Sequence, residues 1–421
     1  MVRHAKIILI AVLLPLFPVC GAAGQTLSWQ DCVKEAAQNH PDLISAKENI
    51  KAKESAKTIT ASALYPQINS DLSASTTKTG SQTSDSYGYG VSASQLIFDG
   101  FKTSANIKAG EENIKAAEQA YQFTSSEVRL LLRTAFIDLW NAQELLKITK
   151  EISKIRRDNL VLISLRYESG MEHKGALLTA EANVAQANFE IDQAERELAV
   201  AQQELSRQMG RSELSPLLVE EDLRLDAGET EKPDFEKLAA ENPSFKQLVA
   251  EKNMASLNVG SARAEFFPTL SASGGADKNG SHWPPEDSSW STGLTLSLPL
   301  FEGGKRLAQV SQARALFNQA QAEERSGRDG IILTLEQAWA SLQDASETVG
   351  VRKKFLEAAQ ERAKIAEAQY SLGLIKFDDW IIIENDLVAA KKTFLDARTN
   401  ALLAQANWAQ AKGEVLEYAQ K

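Results

Sequence analysis

The residues of this chain that could do chemistry are few and poorly spaced for it. Its four histidines, His4, His40, His173 and His282, fall in no metal-ligand spacing. Gly303-Gly304-Lys305 is followed by Arg306 and lacks the spaced upstream glycine of a phosphate-binding loop. No G-x-S-x-G nucleophile turn occurs. Asp378 and Asp379 are adjacent carboxylates that could complement the positive start of a helix. Most other acidic residues lie on helical faces, where solvation is the ordinary explanation. No catalytic residue, metal site or cofactor is expected, so function must reside in architecture rather than in reactive groups.

The first 23 residues read as a secretory signal. Arg3 and Lys6 form the positive end, Ile7 to Leu14 is an apolar run too short to span a bilayer, and Gly21-Ala22-Ala23 is a small-residue cleavage site. Lipidation at Cys20 would want a small residue before it, and Phe17-Pro18-Val19 supplies none. Cleavage after Ala23 leaves Cys32 as the one mature cysteine and excludes an internal disulfide. A formal net charge of −10 excludes a surface built for nucleic acid. No later stretch approaches the ~18 apolar residues of a spanning helix, which leaves a β-barrel as the way to cross a membrane.

The elements that must carry the function come in duplicate. Phe98, Gly100, Lys102, Ala135, Ala142, Tyr167, Gly170, Glu181, Ala194 and Gly210 recur as Phe301, Gly303, Lys305, Ala338, Ala345, Tyr370, Gly373, Glu384, Ala397 and Gly413, at a fixed offset of 203. Upstream the offset is 202, with Pro41 and Pro66 matched by Pro243 and Pro268. One long duplication, unlike a short solenoid repeat, implies two equivalent halves about a common axis, as a pore wall would need. The first repeat is expected over 24–210 and the second over 233–413. An irregular acidic connector joins them at 211–232, and a C-terminal tail follows at 414–421.

Each half predicts a short helix, a helix starting at Pro41 or Pro243, and a strand hairpin at about 66–98 or 268–300. Next come a long helix at about 102–166 or 305–369 and a return helix at about 174–209 or 376–412. In the strands, Tyr87, Tyr89, Val91 and Ile97 alternate with Ser and Gly. Trp290, Leu294, Leu296 and Leu298 alternate with Ser291, Gly293, Thr295 and Ser297. The apolar residues would face lipid and the small polar ones a watery lumen. Alternation alone favours a half-buried sheet in a soluble domain; the secretory signal and the small polar residues of the other face shift the reading toward a water-filled barrel. The hairpin tips are expected at Thr77–Asp85 and Asp277–Ser289. Four strands cannot close a membrane barrel, for which about eight is the minimum, so several copies would have to close it together.

The return helices carry a heptad seam. Leu177, Ala180, Val184, Ala187, Ile191, Ala194, Leu198, Ala201 and Leu205 step by 3 and 4, with alanine at every second position. Periodicity alone allows a coiled-coil rod. A hairpin set between the second and the long helix argues instead for a panel, with the second and return helices stacked end to end against the long one.

The ordered set Asn39-His40-Pro41 with Asn242-Pro243, Tyr65-Pro66 with Phe267-Pro268, Leu96-Ile97-Phe98-Asp99-Gly100 with Leu300-Phe301-Glu302-Gly303-Gly304, and Tyr167-Glu168-Ser169-Gly170 with Tyr370-Ser371-Leu372-Gly373 resembles the TolC-like outer-membrane efflux proteins. The resemblance covers nearly all of the mature chain. It implies a mainly α fold with a β membrane part: a homotrimer whose four strands per chain make one 12-stranded β-barrel, continuous with a 12-helix α-barrel of long antiparallel coiled-coil helices. Such a protein is the passive outer-membrane exit duct of a tripartite efflux or type I secretion system in a double-membraned bacterium. A periplasmic adaptor joins it to an inner-membrane transporter. The tips that meet the adaptor would be Tyr167, Gly170 and Met171, with Tyr370, Gly373 and Leu374. The resemblance also implies an acidic ring at the tunnel's closed end. Its first position here is Asp379, with Asp378 beside it, while Ile382 occupies the second position, which is often acidic. The other class considered is a secreted periplasmic coiled-coil structural or adaptor protein.

Overall fold

A computed structural model describes residues 25–211, 216–219, 223 and 231–416. The expected signal segment, Cys20, and the connector residues Glu220, Glu221 and Asp222 lie outside the described residues. The first half contains β1 (Gln25–Leu27), α1 (Trp29–Asn39), α2 (Pro41–Ser62), β2 (Gln67–Thr79), β3 (Gln82–Phe98), α3 (Lys102–Glu168) and α4 (Lys174–Gln208). The second contains β4 (Leu217–Val219), α5 (Phe235–Glu241), α6 (Pro243–Ala264), β5 (Thr269–Gly280), β6 (Asp287–Ser297), α7 (Lys305–Ser371) and α8 (Phe377–Ala411).

Local chemistry sets the corners. Ser28 and Asp31 form a capping box at α1. His40 and Asn242 cap α2 and α6, each followed by proline at the first helical position, where its missing N–H costs nothing. Asn242 also donates from Nδ2 to the Ala411 carbonyl at 3.0 Å, tying this corner to the end of α8. Gly210 and Gly413 follow α4 and α8 with positive φ, and each lies against one of these corners. A Cβ on Gly210 would meet the Asn39 carbonyl oxygen at 2.5 Å, and one on Gly413 would meet Pro243 Cδ at the same distance. The glycines that recur with the Asn-Pro motifs are thus the space into which those corners fit.

The helices form four parallel staves. At 67 residues, α3 and α7 are each about 100 Å long at 1.5 Å per residue. The 22-residue α2 and the 35-residue α4 lie along one flank of α3, and α6 and α8 along its other flank. Beyond α6 and α8 lies α7, which borders one end of the panel. Alanines seven residues apart, Ala180, Ala187 and Ala194, are buried on α4, which lets its axis approach α3 closely. The central core joins Cys32, Val33 and Leu43 to Leu132, Phe136, Leu139 and Leu205.

The expected connector holds more structure than its composition suggested. Leu217 and Val219 are buried and Leu218 is exposed, and this alternation makes β4 a strand parallel to β1. Gln143 on α3 clamps β4, donating to the Val219 carbonyl at 2.8 Å and accepting its N–H at 2.9 Å.

The main sheet has the order β2-β3-β5-β6, with every pair antiparallel. Both hairpins run further than expected. The strands β2 and β3 stay paired out to Thr79 and Gln82 and turn through Gly80 at φ 64°, while β5 and β6 pair out to Asn279 and Asp287. Ser-, Thr- and Asp-rich residues that read locally as loop are held extended because the ladder satisfies their backbone groups.

Candidate functional site

Two regions carry the candidate residues: the sheet and the far ends of the helical panel. In the sheet, cross-strand partners share a face, so the register decides which residues lie together. One face carries Ile68, Leu72, Tyr87, Tyr89, Val91, Ala276, Trp290, Leu294 and Leu296. The other carries Gln67, Asn69, Asp71, Ser92, Ser94, Ser273, Ser291 and Thr295, and its concave surface is lined by Ser73, Gly90 and Asp277 among others. The period-2 pattern of each strand therefore extends across four strands as one apolar and one polar face.

Two of the proposed lipid-facing residues sit differently. The β3–β5 register shifts between Leu96 and Phe98, so Ile97 is the extra residue of a bulge and Phe98 pairs with Leu270. Leu298 lies one residue past the end of β6. Bulge and strand end both fall where the sheet meets the helices and the chain must change direction. Apolar side chains stand open on the apolar face: Leu72, Trp290 and Leu294 are all exposed.

At the far end, α3 and α7 both stop in the same way. The Gly170 N–H donates to the Tyr167 carbonyl at 3.0 Å and that of Met171 to Arg166 at 2.8 Å. Gly373 and Leu374 repeat this to Tyr370 and Gln369. Both glycines adopt positive φ, 72° and 76°, as this helix ending demands. No atom lies within 4 Å of a Cβ built on either, so backbone conformation and not space selects glycine there.

The two tips nevertheless differ. Tyr167 is 39% exposed and Tyr370 is 1% exposed. Tyr370 is therefore not a surface contact of its tip but its core. Its ring stacks on Trp380 at 4.4 Å between centroids, its hydroxyl donates to Glu172 Oε2 at 2.9 Å, and the Arg166 guanidinium lies 4.7 Å above it. Burial, then the bond to Glu172, pushes the phenol well above its usual range. The residues matched to the partners of Tyr370, Leu177 of α4 for Trp380 and Gln369 of α7 for Arg166, cannot repeat this cluster around Tyr167. Met171 and Leu374 are exposed, as is Leu372.

Asp378 and Asp379 occupy the first turn of α8 and are exposed, on the side away from buried Phe377 and Trp380. The sequence pattern missed a buried polar cluster one turn further along. Glu384 is buried on α8 near Arg156 of α3, whose Nη2 donates to Asn385 Oδ1 at 2.6 Å. Burial raises the Glu384 carboxyl, with Arg156 partly offsetting it. The matched Glu181 is exposed. The recurrence of a glutamate inside a heptad pattern is the one signal that marked the position.

Among the described residues no helix is long and apolar enough to cross a membrane, and no group of acidic, histidine or cysteine side chains could hold a metal. A two-faced sheet at one end of a panel of ~100 Å helices is the form of an outer-membrane channel subunit. The family model for outer membrane efflux proteins matches the chain twice, at residues 32–211 and 235–416, and the chain belongs to that family. It is 21% identical over 416 residues to the outer membrane efflux protein BepC of Brucella suis biovar 1 (strain 1330), covering 97% of this chain and 90% of that one. It is 23% identical over 430 residues to the outer membrane protein TolC of Vibrio cholerae, covering 96% of each. The crystal structure of the Campylobacter jejuni CmeC outer membrane channel superposes with a TM-score of 0.80 at 17% identity, over 91% of this chain and 84% of that one. These relatives are outer membrane proteins and channels, not enzymes.

Proposed function

We propose that three copies of this chain close into the exit duct of a tripartite efflux or type I secretion system in the outer membrane. The observation that carries this reading is a double incompleteness. Among the described residues, β2 and β6 each keep one edge of the sheet without a partner. In the panel, α7 at one end and the α2–α4 stave at the other each keep one flank that no described element covers. The open edges run in the same chain order in both layers, so one rotation that joins β6 to the next copy's β2 also joins α7 to its α2 and α4. That head-to-tail contact makes a closed ring, and lipid tolerates a sheet only when it is closed. Three is the number the family's fold implies, giving twelve strands and twelve staves.

In this ring Tyr87, Tyr89, Val91, Trp290, Leu294 and Leu296 face lipid and the Ser- and Thr-rich face lines the lumen. The tips at Gly170, Met171, Gly373 and Leu374, with Tyr167 exposed beside them, meet a periplasmic adaptor that links the duct to an inner-membrane transporter. Asp378 and Asp379 converge toward the axis as a carboxylate ring that favours cations.

The test is covalent. Paired cysteines scanned along the polar faces of the two edge strands, Ser291, Gly293 or Thr295 with each of Gln67, Asn69, Asp71, Ser73 and Ser75, in a chain carrying Cys32→Ser and Cys20→Ala, should in one register yield a disulfide-linked species of three times the chain mass in outer-membrane fractions. A monomer that washes off with salt and carbonate would overturn the duct and favour the secreted coiled-coil reading.

A further inference from the structure

Beside the lipid-facing Tyr87 and Tyr89, the β5–β6 hairpin carries two residues that neither the duct wall nor the tips use, Lys278 and Trp283. The loop between β5 and β6 carries His282-Trp283-Pro284-Pro285. This segment does not reach over the polar face. Trp283 packs edge-on against Tyr87 and Tyr89, with ring centroids 6.4 and 6.2 Å apart, and both tyrosines belong to the apolar face. Pro285 is buried beside Gly280, which holds the loop down. Trp283 itself remains 59% exposed.

Lys278 lies on that same face. It pairs directly with Tyr89 on one side and Ser288 on the other, and Leu72 completes the row. Its ammonium is exposed and makes no ion pair among the described residues. Height along the barrel gives the lysine a meaning. Ser288 lies eight residues from Leu296, which is ~27 Å along a strand and ~21 Å along the axis of a barrel tilted by 35–45°. An apolar band of such barrels is ~25 Å tall. Lys278 therefore sits near its outer edge, at the depth of lipid headgroups, with Trp283 just beyond it. Amphipathic rings are favoured at that depth, and a lysine there meets anionic groups without crossing hydrocarbon.

We propose that Tyr87, Tyr89, Lys278 and Trp283 form a binding patch for an anionic lipid of the outer leaflet, with the lysine on its phosphate and the rings against its headgroup and upper chains. The patch lies on β3, β5 and the loop after β5, so each chain carries it whole. It rests on the membrane-barrel reading, and the experiment separates the two. The full-length protein, labelled with 5-fluorotryptophan at its seven tryptophans, is placed in lipid nanodiscs, and W283F and W290F assign two of the fluorine resonances. A mid-chain nitroxide lipid should broaden Trp290, and a headgroup nitroxide should broaden Trp283. Replacing zwitterionic lipid by phosphatidylglycerol should shift the Trp283 resonance, and K278Q should raise the anionic fraction needed about fivefold, the factor matching one lysine near a charged surface. A Trp283 signal that only an aqueous gadolinium chelate broadens would overturn the patch while leaving the barrel intact. So would one shifted equally by inorganic phosphate in zwitterionic discs. A Trp290 signal reached only by the aqueous agent would instead overturn the barrel.

Discussion

Two helices of identical length and matched sequence, α3 and α7, have opposite surroundings. Nineteen residues of α3 are buried and only six of α7. Ile152 and Phe355 occupy matched positions, and they are 4% and 62% exposed. Between two flanks, α3 is packed by α2 and α4 on one side and α6 and α8 on the other, while among the described elements α7 has neighbours on one side alone. Along its bare flank stand Leu316, Leu333, Val351, Phe355 and Ile365, and the opposite end of the panel exposes Ile59, Leu178, Phe189 and Val200. The same stave is finished within the chain in one half and left unfinished in the other. These exposed apolar residues at both ends of the panel are what the proposed ring of copies would cover.

The contrast can be broken most forcefully at the matched pair. Ile152→Ala should cost about 2–5 kcal/mol and lower the thermal midpoint of the helical signal whatever the state of assembly. Phe355→Ala should leave an isolated chain's melt unchanged and weaken only the trimer band on native gels. Equal effects on the two melts would mean that both flanks of α7 are packed within one chain.

A comparable effect is expected on the edge strand. Leu294→Arg, on the apolar face close to the bilayer midplane, should cost ~2–4 kcal/mol per chain and reduce assembled protein in the outer membrane, whereas Thr295→Arg on the polar face should assemble normally. Equal assembly of the two variants would argue against a membrane barrel.

The tips sharpen the comparison at lower cost. Valine at Gly373 forces a β-branched residue into a left-handed turn, at ~1–2 kcal/mol. It should impair export of a toxic substrate in a sensitivity assay while barrel insertion stays normal. Export at the wild-type rate would remove this tip from the docking surface. In single-channel recordings, Asp378→Asn with Asp379→Asn should reduce cation over anion selectivity and leave the melt within about 1 kcal/mol, the range of a helix-start charge. Unchanged selectivity would leave these residues as helix-start charges only.

The smallest effect concerns the buried Glu384, whose partner Glu181 is exposed. Its folded pKa is raised above the ordinary 4.5, chiefly by burial. The folded state therefore holds this proton more tightly than the unfolded chain. The resulting stability is full below the ordinary value and is lost as pH rises through the raised one. Glu384→Gln should melt higher than the parent at pH 7.5, with the gain shrinking toward pH 4.5. The same change at Glu181 should do nothing. A gain independent of pH would assign the effect to packing rather than to ionisation.

What could be read from sequence alone has a local cause. Matched motifs at a constant offset, alanines every seven residues on α4, a proline before each hairpin and Ser/Leu alternation along β6 are short-range patterns. They are set by helix period, strand period and the steric demands of proline and glycine. Family membership followed from those motifs in order, and the structure's two-faced sheet and long helices agree with it. The pattern could not disclose that Ile97 sits in a bulge or that Leu217–Val219 pairs with β1. Nor could it disclose that Tyr370 is core while Tyr167 is surface. Those outcomes depend on partners distant in sequence: Leu270 for the bulge, Gln25 to Leu27 and Gln143 for the small sheet, and Trp380, Arg166 and Glu172 for the tyrosine. A duplicated sequence specifies two equal staves, and only their place in the tertiary panel decides which is enclosed and which is left with a flank to offer, because burial is a property of neighbours and not of residues.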